Sequence, residues 1–427
     1  MTKAKTDDSP PIAPASLYDL FPALHLLRAS GLAIDPRKML LGGLALVLLV
    51  FGDWLFASLP FAQNRAVIHV TFGIEPSAFT RALGCAGFAA RPTLDSWQSW
   101  DAAAFALFTP IRTLVEPARV IFQANQSWSA LAFAWTQLLW ALIVWSLVGG
   151  ALCRMNALQF ALRKRIGLGV ALKFSRRQLM SYLSAPILPL SAVLILHGFN
   201  WLLGCVAALA PSIGGIMLGI AWGVVLFTGF LMAMLTLGLA IGWPLMIAAV
   251  STEDSDGFDG LSRAFGYLFD RPWHAGLFVM SSLPIFTASR FLIAILIGLA
   301  ISLGAEAVER GSAPAISSHR WSLSLNFDRS NLGSPAGIVA DRLDATLTRG
   351  NDFGWPGDFG DKALLAWTLI PALFYVGFGP SFFWSATMVS YFLLRQSDDG
   401  TPLDSVVAWS ENQQMASQGH IVSDRLI

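Results

Sequence analysis

Six long apolar runs alternate with charged stretches along this chain, at 39–61, 129–153, 182–209, 213–250, 275–303 and 363–394. Only Asp53 and Arg290 interrupt them with a formal charge. A run of 18 or more apolar residues makes a helix that can cross the roughly 30 Å hydrocarbon core of a bilayer. The pattern therefore predicts an all-α integral membrane protein, a bundle of about six transmembrane helices. The segment 1–38 reads as a polar tail followed by an interfacial helix. In it Leu17, Leu20, Phe21, Leu24 and Leu27 fall at helical spacing before Asp35-Pro36-Arg37-Lys38 breaks the pattern.

The run 213–250 is too long for one perpendicular span, since as a helix it would reach about 57 Å. Its middle has no Pro, Asn or charge for a tight hairpin in lipid, where exposed turn backbone finds no water. We read it as one tilted span that bends near Gly242-Trp243-Pro244 and continues along the interface; two spans are the alternative. The segments 62–128 and 304–362 are two extracytoplasmic loops on this reading. Within them 67–72 and 320–325 have partial strand character, which would suit a small outer sheet.

Orientation rests on the loop 154–181, which carries Arg154, Arg163, Lys164, Arg165, Lys173, Arg176 and Arg177. Short basic loops stay cytoplasmic, so both termini, including the tail 395–427, are expected in the cytoplasm. Arg163, Lys164, Arg165, Arg176 and Arg177 are also placed to touch anionic lipid headgroups. The segment 251–274 reads as a second cytoplasmic interfacial helix. Asp256 or Ser255 caps it, Phe258, Leu261, Phe265 and Leu268 form its apolar face, and Asp259 pairs with Arg263 at i, i+4. Calcium-loop spacing is absent from its acidic start.

Composition removes the other classes. With 13% charged and 55% hydrophobic residues, 30 Phe and 16 Trp, the 427-residue chain is not a soluble globular protein. A net charge of +1 provides no field for nucleic acid. Cys85, Cys153 and Cys205 form no CxxC pair, the six histidines have no metal-ligand spacing, and no P-loop, GxSxG or HExxH occurs. No catalytic residue, cofactor or metal is expected, and the chain is not expected to be an enzyme. The Gly214–Gly219 run lies inside a span, where small residues serve close helix packing.

Inside the spans, Asp53, His197 and Arg290 lie at one depth, roughly 21 to 23 Å from the cytoplasmic ends of helices running the same way. Asp53 and Arg290 are a candidate ion pair, with Asn200, His197 and Gln137 as polar neighbours. Such a layer serves a solute or proton pathway, or fixes helix register. Pro186, Pro189, Pro284, Pro371 and Pro380 would kink three spans, either to line a site or as passive packing.

Several segments resemble an uncharacterised family of bacterial multi-pass inner-membrane proteins. They are Asp35-Pro36-Arg37-Lys38, Gly149-Gly150-Ala151-Leu152-Cys153-Arg154 and Ala185-Pro186-Ile187-Leu188-Pro189-Leu190. Stronger are Gly242-Trp243-Pro244-Leu245-Met246 with Glu253, Gly257 to Arg263 and Arg271-Pro272-Trp273, and Tyr391-Phe392-Leu393-Leu394-Arg395 with Asp399-Gly400-Thr401. The resemblance implies an inner-membrane location and architecture, with no activity to carry over. The functional expectation is a non-catalytic scaffold or subunit that partners membrane lipid and other membrane protein subunits, with no nucleic acid. Abundant Trp residues, which suit interfaces and headgroup belts, point the same way. The alternative is a small-solute transporter or channel built on the polar layer.

Overall fold

The computed structural model describes residues 22–57, 59, 103–123, 126–209, 211–312 and 357–406, which are helical with no strand among them. A 3-10 turn Pro22–Leu26 leads into α1 (Leu27–Ala33) and α2 (Pro36–Ala57). Next come α3 (Thr109–Phe122), α4 (Trp128–Leu162), α5 (Leu168–Arg177), α6 (Leu179–Leu209) and α7 (Pro211–Glu253). The last three are α8 (Gly257–Asp270), α9 (Pro272–Ser312) and α10 (Gly357–Asp399). Helices α2, α4, α6, α7 and α9 are long and apolar enough to cross a membrane. Helix α10 contains the uncharged run 363–394 and completes a bundle of about six spans. The segments 67–72 and 320–325 lie outside the described residues.

Helix α10 is the axis of the packing. It lies antiparallel to α2, and a Cβ at Gly377 would collide with the Met39 carbonyl and the backbone of Gly43. Glycine at both surfaces lets the two backbones touch, and such close approach is what binds helices in lipid, where apolar surface gains little by leaving the solvent. Ser381 on the same helix donates to the Ala33 carbonyl at 2.9 Å. Around α10 the core is aromatic: Phe286 stacks on Phe378 at 5.6 Å, and Trp384 packs between Trp145 and Trp243. The helices run unbroken through Pro186, Pro189, Pro284, Pro371 and Pro380.

Several expectations change. Helix α7 is continuous from Pro211 to Glu253, so its run is one span. Its end does not follow an interface, because Trp243 and Leu245 to Thr252 are buried in the bundle. The expected interfacial helix from Leu17 lies mostly outside the described residues; the helix α1 that follows it is packed into the bundle, with Leu26, Ala29 and Ala33 fully buried against α10. Helix α8 forms, and of the two expected caps it is Asp256 whose carboxylate accepts from the Asp259 amide, at 2.9 Å. Its packed face, however, is Gly257, Gly260, Ala264, Tyr267 and Leu268, set against α6 and α7, while Phe258 is 69% exposed. Small residues win that face because they let the helix sit on Val250 and Met246. Part of the expected loop 62–128 is also structured, since α3 packs along α4.

Candidate functional site

The densest group of polar side chains gathers where α2 begins and α4, α7 and α10 end. Lys38 is fully buried in the first turn of α2. Its ammonium donates to the Leu32 carbonyl at 3.0 Å and to Asn156 Oδ1 and Gln159 Oε1, each at 2.6 Å. Three donors meet three oxygens, so the charge is fully solvated by protein. Asn156 Oδ1 also accepts from Ser385 at 3.2 Å, which ties α2, α4 and α10 into one network.

Beside it stands a second centre, Glu253, the last residue of α7. Its carboxylate accepts from Arg263 at 2.8 Å, from the Tyr391 hydroxyl at 2.8 Å and from Arg395 at 3.3 Å. Two guanidinium groups on one carboxylate join α7, α8 and α10. Burial works against the Arg263 charge, but Asp259 and Glu253 more than offset it and hold its pKa above the ordinary value. On α8, Tyr267 donates to Asp399, and burial together with that carboxylate pushes its phenol up.

Arg154 completes the end of the bundle. It is 2% exposed, lies over the Phe174 ring and donates to the Ser251 carbonyl at 2.9 Å. The Ser251 hydroxyl shares a 2.9 Å hydrogen bond with Tyr182. After Glu253 the chain reverses at Asp254, whose φ of 56° is tolerated because aspartate is among the residues that enter the left-handed region. That turn aims the Asp254 carboxylate at Arg177 and Gln178, where α5 passes into α6. A second reversal, at Arg163 with φ 52°, closes α4 through a Lys164 amide to Leu158 carbonyl bond of 3.1 Å.

The expected polar layer does not gather into one site. Asp53 accepts from Gln137 at 2.9 Å, on the α4 side of α2. Arg290 lies against the rings of Phe286 and Tyr375, on the α10 side of α9, and the ion pair between them is not formed. His197 meets Phe122 edge to face at 5.8 Å, and Asn200 accepts from Thr228 at 2.9 Å, joining α6 to α7. Equal depth along helices leaves rotation about each axis free, and here the four residues face different neighbours. Of the basic residues assigned to headgroups, all five are exposed, but Arg177 is engaged by Asp254.

Sequence reasoning missed Lys38, Arg154, Asn156 and Arg395 as interior residues. Lys38, Arg154 and Arg395 were legible only as charges flanking the apolar runs, and Asn156 only as a polar residue just beyond the run 129–153. Among the described residues no group of three or more His, Cys, Asp or Glu is placed to hold a metal ion. Most polar atoms of the network are met by its own members, while Asn156 Nδ2 and Arg395 Nε are buried without a hydrogen-bond partner, so its chemistry is that of a clamp between helix ends. Fold and site together define a polytopic α-helical membrane protein. No family model, no curated protein and no solved structure matches the chain.

Proposed function

We propose that this chain is a non-catalytic scaffold or subunit of a membrane protein complex. It would reside in a bacterial inner membrane with both termini cytoplasmic, as the basic residues around α5 favour. The observation that carries the reading is the unequal burial of the spans. The most apolar stretch of α7 is only 11% buried inside the protein, against 28–56% for α2, α4, α6 and α9. Gly215, Gly219 and Gly223 recur along it every four residues, and beyond the local helix backbone no atom of the described residues lies within 4 Å of where their side chains would begin. A small-xxx-small stripe of this kind admits another helix at close range. Ile216, Ile220 and Phe227 beside it are 65%, 82% and 63% exposed, which offers apolar area for the same partner. A solute pathway has less support, because Asp53, His197, Asn200 and Arg290 share no site.

Site-specific photocrosslinking in the native membrane tests the reading. A crosslinker at Ile220 should yield a discrete protein adduct, and Gly219→Ile should remove it while the purified protein melts unchanged. The same probe at Leu44, exposed on α2, should react with lipid alone. Lipid adducts alone at both positions would defeat the proposal.

A further inference from the structure

Helix α3 occupies a level that no outer loop would reach. Its Thr113 hydroxyl accepts from the Trp145 indole at 2.8 Å, and both residues are buried. Trp145 lies inside the uncharged run of α4, at 1.5 Å per residue about 12 Å from its Cys153 end and about 24 Å from its Ser129 end. Just before α3, Phe108 packs on Phe383 of α10 at 6.5 Å, and the Ala106 carbonyl lies beside Gly379. The helix then climbs antiparallel to α4 until Phe122 meets His197. Thr113 therefore sits at a level well within the hydrocarbon core, with Arg112 beside it and Glu116 and Arg119 about 4.5 and 9 Å farther toward the Ser129 end of α4.

Those neighbours carry charge. Arg112, Glu116 and Arg119 follow one another at i, i+4 and i+3 on α3. Arg112 lies over the Phe105 ring at 3.6 Å. The two guanidinium groups approach the single carboxylate at 4.0 and 3.7 Å, too far for a hydrogen bond. One positive charge is left over, and at these distances Glu116 satisfies few of the guanidinium donors. The side chains of Arg112 and Arg119 are 35% and 67% exposed. A charge at this depth is costly unless it meets a polar partner, and arginine pairs best with an oxyanion that takes two parallel hydrogen bonds.

We propose that the Arg112, Glu116 and Arg119 face of α3 binds a phosphate group within the membrane, brought either by a lipid headgroup or by a free anion. Glu116 then sets the affinity, since it holds the two arginines in register and competes with the ligand for them. The inference stands apart from the docking role of α7 and uses none of its residues.

The full chain, purified in a neutral detergent, is melted while inorganic phosphate, or short-chain phosphatidylglycerol with phosphatidylcholine as control, is titrated in. Melting should rise saturably. Arg119→Gln should weaken the response roughly tenfold, the loss of one charge-assisted hydrogen bond, and Glu116→Gln should strengthen it. Arg119 is 67% exposed and its ion-pair partner among the described residues is Glu116, so its variant should melt normally without ligand; Arg112→Lys, which should also weaken the response, provides a second test if Glu116→Gln does not fold. A response to phosphatidylglycerol alone assigns the site to lipid, and a response to inorganic phosphate assigns it to a free anion. No response to either, or an undiminished response in Arg119→Gln, overturns the proposal.

Discussion

Lys38 and Asn156 stand 118 residues apart in the chain, yet the lysine ammonium lies 2.6 Å from the asparagine Oδ1. The contact joins the first turn of α2 to the last part of α4 and explains how a lysine comes to be fully buried beside a membrane span. It also makes the helix ends, rather than the middle of the bundle, the place where polar chemistry is concentrated.

Replacing Lys38 with methionine keeps the volume and removes a donor from three oxygens, of which Asn156 Oδ1 alone keeps a second donor, Ser385. The expected loss is about 1 to 3 kcal/mol, the cost of leaving a buried acceptor unpaired. Arg37→Met next to it, on an exposed residue, should stay within roughly 0.5 kcal/mol. Thermal melting of the two variants in detergent makes the comparison, and equal losses would deny the lysine its buried role.

For the second centre, Glu253→Gln leaves Arg395 buried without its charged partner while Arg263 keeps Asp259. We expect a loss on the order of 3 to 5 kcal/mol for the stranded charge. Adding Arg395→Met should recover much of it, whereas adding Arg263→Gln, on a residue more than a third exposed, should recover little. Denaturant unfolding in mixed micelles reads the difference, and equal recovery by both would place the strain elsewhere.

Asp53 offers a test of partner choice. In a double-mutant cycle Asp53→Asn with Gln137→Leu should couple by about 0.5 to 3 kcal/mol, because the two side chains share a hydrogen bond. The cycle of Asp53→Asn with Arg290→Gln should be additive within about 0.5 kcal/mol. Strong coupling in the second cycle would mean that the charges meet after all.

Sidedness can be measured at the two ends of α4. A single cysteine in place of Lys164, in a chain whose native cysteines are replaced, should resist an impermeant thiol reagent in intact cells. One at Trp128, 88% exposed at the opposite end, should be modified. Labelling at Lys164 alone would invert the topology.

The sequence by itself determined a bundle of about six spans, the positions of the long apolar helices, and the start and Asp259–Arg263 pair of α8. All of these depend on hydropathy over about 20 residues or on spacing within one or two helical turns, quantities a linear reading contains. The partner of Asp53 was beyond its reach, because depth follows from counting while facing depends on how each helix is rotated against its neighbours. Burial of Lys38, Arg154 and Arg395 was hidden for a related reason. Whether a charge at a helix end meets water or protein depends on how far adjacent helices extend past it, and α4, α7 and α10 all run on into the cluster. Helix α3 was obscured by its arginines and glutamate, which mark an aqueous loop by composition. Only its packing on Trp145 and near Gly379 places those charges at the level of the apolar core.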